Sequence, residues 1–136
     1  MKFKTITHSP EKQKISCIIA AIFNNNELSH LTKKLDKISN NYISNILKKS
    51  YNNKNIEYLI LHNIPNIISD KVALINCKDK NNLSKTEYKK IINLSMQIIE
   101  NTLSEDVLFL INNDCNIKNQ SIFYNTKNLI ININEF

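Results

Sequence analysis

The sequence predicts an α/β fold, a layered domain whose mixed sheet carries helices on both faces. Nearly continuous apolar runs occupy 15–23, 57–62, 71–77 and 106–111, the pattern of strands covered on both sides. Between them lie segments whose apolar residues recur every three or four positions, the pattern of amphipathic helices, and such alternation builds a layered sheet. Size agrees: 136 residues, 42% apolar and 22% charged, make one ordinary domain that buries about two-thirds of its unfolded surface without disulfide or metal staples.

The first run imitates a leader, since lysines at 2–14 precede a nine-residue run at 15–23 that is apolar except at Ser16. No A-x-A site follows, Pro10 and Glu11 interrupt the charged stretch, and Cys17 opens the run where a lipoprotein cysteine would close it. Nine residues are also too few to cross a bilayer, so the reading is a buried central strand with no membrane partner. After the turn signal at 24–26, Leu28, Leu31, Leu35 and Ile38 share a helical face with Ser29 as N-cap. Asn40 and Asn41 break that helix, and Tyr42, Ile43, Ile46 and Leu47 resume it to about residue 49, before a polar loop at 50–55.

The run 57–62 is a second strand, turned by 63–66, and 71–77 a third. Ser84-Lys85-Thr86-Glu87 is a capping box, opening a helix to about residue 101 on the face of Tyr88, Ile91, Ile92, Met96 and Ile99. Residues 106–111 give another buried strand. The tail from Ile117 is ambiguous, helical at Phe123-Tyr124 and Leu129-Ile130 but alternating like a strand over 131–134.

Asn (24), Ile (24) and Lys (18) dominate, while Gly, Trp and Arg are absent, which is the signature of an AT-biased genome. The net charge of +6 follows from that bias. Its lysines come in small groups mixed with Asn and acids, without an aromatic-bearing stripe, so a DNA partner is permitted and not indicated. Missing glycine excludes P-loops, dinucleotide fingerprints and G-x-S-x-G elbows. Asn must therefore take the left-handed positions at turns and helix ends.

Cys17, Cys77 and Cys115 are odd in number and widely spaced, the pattern of buried thiols in a reducing cytosol and not of a disulfide framework or zinc site. His8, His30 and His62 have no partner at metal-binding spacing, and His62 with Asn63 is the best placed, at a strand end. Carboxylates open strands and helices without pairing, and Ser44 and Ser95 lack a triad motif. No catalytic, cofactor-binding or metal-binding residue is assigned.

Several stretches nevertheless resemble the N-terminal domain of bacterial leucyl aminopeptidase, also called cytosol aminopeptidase or aminopeptidase A. They are 8–14 (H-S-P-E-K-Q-K), 35–44 (L-D-K-I-S, then Y-I-S), 59–66 (L-I-L-H-N-I-P-N), 72–77 (V-A-L-I-N-C) and the Tyr88 helix, in that order. Asn76 and Lys78 stand where the family usually has Gly on either side of the cysteine. The resemblance implies a macro-domain-like module over 1–136, with 117–136 beginning a linking segment to a larger catalytic domain. In that domain two divalent ions, zinc or manganese, would activate a water against the first peptide bond. It further implies peptide substrates, a homo-hexamer and a cytoplasmic location. Motifs such as N-T-D-A-E-G-R-L are missing from a chain without Gly or Arg, so this chain is expected to be inactive, either a fragment of the enzyme, which the intact helix faces and the intact stretch 59–66 favour, or the product of a truncated gene. The alternative is a stand-alone macro-like module that binds ADP-ribose or DNA.

Overall fold

A computed structural model describes residues 2–5, 10–12, 14–52, 54–79, 83–111, 115 and 129–132, with backbone alone for 2–5 and 129–132. Its strands are β1 (Lys2–Thr5), β2 (Cys17–Phe23), β3 (Glu27–Leu28), β4 (Tyr58–His62), β5 (Lys71–Asn76), β6 (Asp106–Phe109) and β7 (Leu129–Asn132). Its α-helices are α1 (His30–Ile38), α2 (Tyr42–Tyr51) and α3 (Lys85–Asn101). The strands form one sheet in the order β1-β7-β6-β2-β5-β4, with β3 paired to β2 beside that path.

The sheet is mixed. Strand β2 runs parallel to both neighbours, with Ile18 opposite Val72 of β5 and opposite Leu108 of β6. The pairs β4·β5, β6·β7, β1·β7 and β2·β3 are antiparallel. Pleating sends successive side chains to opposite faces, so β2 serves two cores at once. Ile19, Ala21 and Phe23 pack with Ile91, Ile98 and Ile99 of α3. Ile18, Ala20 and Ile22 pack with Leu35 of α1 and with Ile43 and Leu47 of α2. Every residue of β2 is buried, which is why its sequence is apolar without alternation. This is the predicted α/β architecture, a mixed sheet with helices on both faces.

Local signals set the helix ends. Ser29 Oγ accepts from Thr32 N at 3.2 Å and Ser84 Oγ from Glu87 N at 3.1 Å, as the two N-cap readings require. Both α1 and α3 close on a residue in the left-handed region, Asn40 (φ 57°) and Leu103 (φ 53°). The paired bonds Asn41 N to Asp36 O and Asn40 N to Lys37 O, and Ser104 N to Ile99 O and Leu103 N to Glu100 O, are those of a Schellman turn.

Some expectations change. The run at 57–62 reads as a strand covered on both faces, yet β4 is the sheet's edge, with Tyr58 44% exposed and His62 exposed. Leu59 and Leu61 pack on the α1/α2 side and Ile60 on the α3 side, so an edge strand between two helical layers is as apolar as a central one. Leu28 belongs to β3, paired with Ile22, not to the helix that starts at His30. Helix α2 runs on to Tyr51, and the strand at 106 ends at Phe109. Leu129 and Ile130, helical by spacing, lie in β7 between β1 and β6, because sheet pairing outweighs a four-residue pattern. Strand β1 had no signal of its own in 2–5. Phe123, Tyr124 and the pattern at 133–134 lie outside the described residues.

Candidate functional site

In open α/β sheets, ligands bind beyond the carboxyl ends of parallel strands where successive connections leave toward opposite faces. Strand β2 leads toward α1 on one face and β5 toward α3 on the other. The corresponding edge is therefore made by 24–26 and 76–78. Backbone pairing continues there past the strands, with Cys77 N donating to Ile22 O at 2.8 Å and Asn24 N to Lys78 O at 3.1 Å.

Asparagine does take the left-handed positions: Asn25, Asn26, Asn40, Asn41, Asn63 and Asn66 all have φ between 52° and 64°. Lys78, at φ 58°, keeps the conformation that a glycine would adopt without steric cost. Asn76 braces it: its Oδ1 accepts from Lys78 N at 2.8 Å, while its Nδ2 donates to Ile56 O at 3.0 Å. The loop after β5 thus holds its shape through a side chain in place of glycine.

Two hollows flank this edge. The larger, about 410 Å³, is lined by Asn25, Asn26, Leu28, Ser44, Leu47, Lys48, Asn52, Lys54 and Asn55. The smaller, about 120 Å³, lies beside Cys77 and Leu83 and is bordered by Glu57, Glu87 and Lys90. Sequence reading passed over Asn26, Lys48 and Lys54. A run of asparagines directly after a buried parallel strand was the available signal.

The candidates named from sequence fall elsewhere. His62 pairs with Lys71, the first residue of β5, because β4 is antiparallel. His62 and Asn63 therefore sit at the opposite end of the sheet from the carboxyl ends of β2 and β5. Asn63 turns the chain, donating its N–H to Asp70 O at 2.9 Å. His30 is exposed on the first turn of α1, and His8 lies outside the described residues. Ser95 Oγ donates to Ile91 O at 2.7 Å within α3. Ser44 Oγ donates to Asn41 O at 3.2 Å.

Two carboxylates have structural work. Asp36 Oδ1 accepts from Ser44 N at 2.9 Å, capping α2 from the end of α1, and Asp106 Oδ1 accepts from Ser16 N at 2.8 Å. Cys17, Cys77 and Cys115 are free and buried. Burial pushes the Cys17 thiol up to about 11, with Lys71 and a backbone hydrogen bond from Ala73 pulling the other way. Among the described residues, no three His, Cys, Asp or Glu side chains come together as metal ligands, and no helix is long and apolar enough to cross a membrane.

Comparison with known proteins covers nearly the whole chain. The family described as "Cytosol aminopeptidase family, N-terminal domain" matches residues 19–130. A "probable cytosol aminopeptidase" of Colwellia psychrerythraea is 34% identical over 132 residues, 96% of this chain and 26% of that protein. Proteins of the same description from Shewanella loihica and Photobacterium profundum are each 33% identical over 132 residues, again 96% of this chain and 26% of theirs. The chain spans about a quarter of the length of these relatives. The stretch 35–44, whose Asp36 caps the helix that holds Ser44, lies inside the matched region, and the chain belongs to the cytosol aminopeptidase family as its N-terminal domain.

Proposed function

We propose that this chain is the non-catalytic N-terminal domain of a cytoplasmic, metal-dependent aminopeptidase that removes single residues from the amino ends of peptides. The observation that carries the reading is the pairing of two coverages, 96% of this chain against 26% of its relative. In this reading the residues that bind two divalent ions, zinc or manganese, belong to another domain of the complete protein, which assembles as a homo-hexamer. The described residues of this chain do not fit such a centre. Their carboxylates at 36 and 106 are committed to backbone N–H groups, and no triad of ligand side chains forms among them. No step of hydrolysis is therefore assigned to them. The contribution of this chain is a layer whose central strands β2, β5 and β6 are packed on both faces, and these three parallel strands between helices support a macro-domain-like relationship.

The test is hydrolysis of a leucine anilide by the 136-residue chain with manganese present. The expected result is no turnover. Turnover that co-purifies with the chain and is lost on chelation would place the centre here and overturn the reading. Sequencing the gene beyond codon 136 is the independent check, an in-frame N-T-D-A-E-G-R-L motif being the expected result.

A further inference from the structure

We propose that the free edge of β4 pairs antiparallel with β4 of a second copy, joining two sheets across a two-fold axis normal to them. The register shows which groups are free. Asn76 N donates to Glu57 O at 2.9 Å and Asn63 N to Asp70 O at 2.9 Å, one at each end of the ladder between β4 and β5. Bonded and non-bonded pairs alternate along an antiparallel ladder, so residues 57, 59, 61 and 63 are the ones bonded to β5. Tyr58, Ile60 and His62 therefore turn both N–H and C=O away from β5, and among the described residues no strand lies on that side. The edge also lacks the usual guards against pairing. Strand β4 matches β5 residue for residue without a bulge and contains neither lysine nor proline, whereas β1, at the opposite edge, carries Lys2 and Lys4. No lysine stands between Lys54 and Lys71, so in a chain of net charge +6 this strand brings no cation against its copy.

The flanks decide the occupant. Both helical layers are open along this edge: Tyr58, Ile60 and Leu94 on the α3 side, and Ile56 and Leu59 on the α1/α2 side, are partly or largely exposed. A single extended peptide would satisfy the backbone of β4 and leave these two apolar rims in water. A second copy brings an edge of the same thickness with a rim on each face, and the two-fold axis sets like layers side by side. With Ile60 on the axis, Tyr58 stands opposite the partner's His62 and Leu59 opposite the partner's Leu61. Glu57 stands opposite the partner's Asn63, whose amide is a donor. No two like charges face each other in these pairs, and such a contact closes at two copies because each surface meets itself. It uses residues of this chain alone and is independent of the aminopeptidase reading.

The experiment combines sedimentation equilibrium of the 136-residue chain, from micromolar to millimolar concentration, with amide hydrogen exchange. The expected mass rises from 15.8 kDa to twice that value. The amides of Tyr58, Ile60 and His62 are expected to gain protection over the same range, while those of Leu59 and Leu61, already bonded to β5, are protected throughout. Ile60→Lys sets two cations together on the axis and is expected to leave a monomer. His62→Pro removes only an outward N–H at an exposed edge position, where proline is tolerated, and is expected to weaken dimerisation about tenfold or more with the fold retained. A monomer at millimolar concentration, or a dimer that both variants leave unchanged, would overturn the proposal. So would protection of residues 58, 60 and 62 in the monomer, which would mean that the chain covers this edge itself.

Discussion

Single residues carry conformational cost that glycine would remove. Leu103 stands 87% exposed at φ 53°, so its side chain gains little from burial while its Cβ crowds the left-handed backbone. Leu103→Gly is expected to stabilise the protein by about 0.5–1 kcal/mol, the αL penalty less the added freedom of the unfolded chain. Urea denaturation checks it, and a loss of stability would show that Leu103 packs on something. Asp36 works in the opposite sense. Asp36→Ala is expected to cost about 1–2 kcal/mol by uncapping α2, visible in the same assay.

Cys17 makes a pH prediction. The folded thiol titrates near 11, against 9.0 for an ordinary one, so between these values the unfolded chain has lost a proton that the folded chain keeps. Stability contributed by the neutral thiol is complete below pH 9.0 and drains away as pH rises toward 11, at up to about 1.4 kcal/mol per pH unit. The difference between wild type and Cys17→Ala across that window isolates this group from lysine and tyrosine titration.

At the scale of elements, α1 is fixed to the sheet by a polar bond inside an apolar layer. Thr32 Oγ1 donates to Ala21 O at 2.8 Å and meets Ser29 Oγ at 2.8 Å, all buried. Thr32→Val, equal in shape, is expected to cost about 1–2 kcal/mol through the lost hydrogen bonds, with the melting temperature falling accordingly. The elements that were legible in sequence share one cause: their signals are local. Ser29 and Ser84 announce helix starts, and β2, β5 and β6 are apolar because both faces are filled. What was not legible depends on partners distant in the chain. Residues 2–5 become a strand only because β7 is there to pair. The direction of β4, which removes His62 from the candidate edge, is set by its antiparallel register with β5. The same holds for the site. Asn25 and Asn26 are adjacent in sequence, but Lys48 and Lys54 join them only after α2 folds back across the sheet.

At the scale of the whole molecule, the topology divides the charge. Lys33, Lys34, Lys37, Lys48 and Lys49 are exposed on α1 and α2, and Lys85, Lys89 and Lys90 are exposed on α3, against the opposite face of the sheet. A duplex laid on one face therefore leaves the lysines of the other in solvent, and a net charge of +6 does not act as one patch. Binding held only by such lysines is a matter of counterion release and carries no base readout. Fluorescence anisotropy with a labelled duplex should accordingly give weak association at low salt that disappears between about 50 and 200 mM salt, with equal affinity for unrelated sequences. Preference for one sequence, or binding that persists at the higher salt, would mean that the two lysine-bearing faces act together on a bent or wrapped strand, and that the basic character of this chain serves recognition after all.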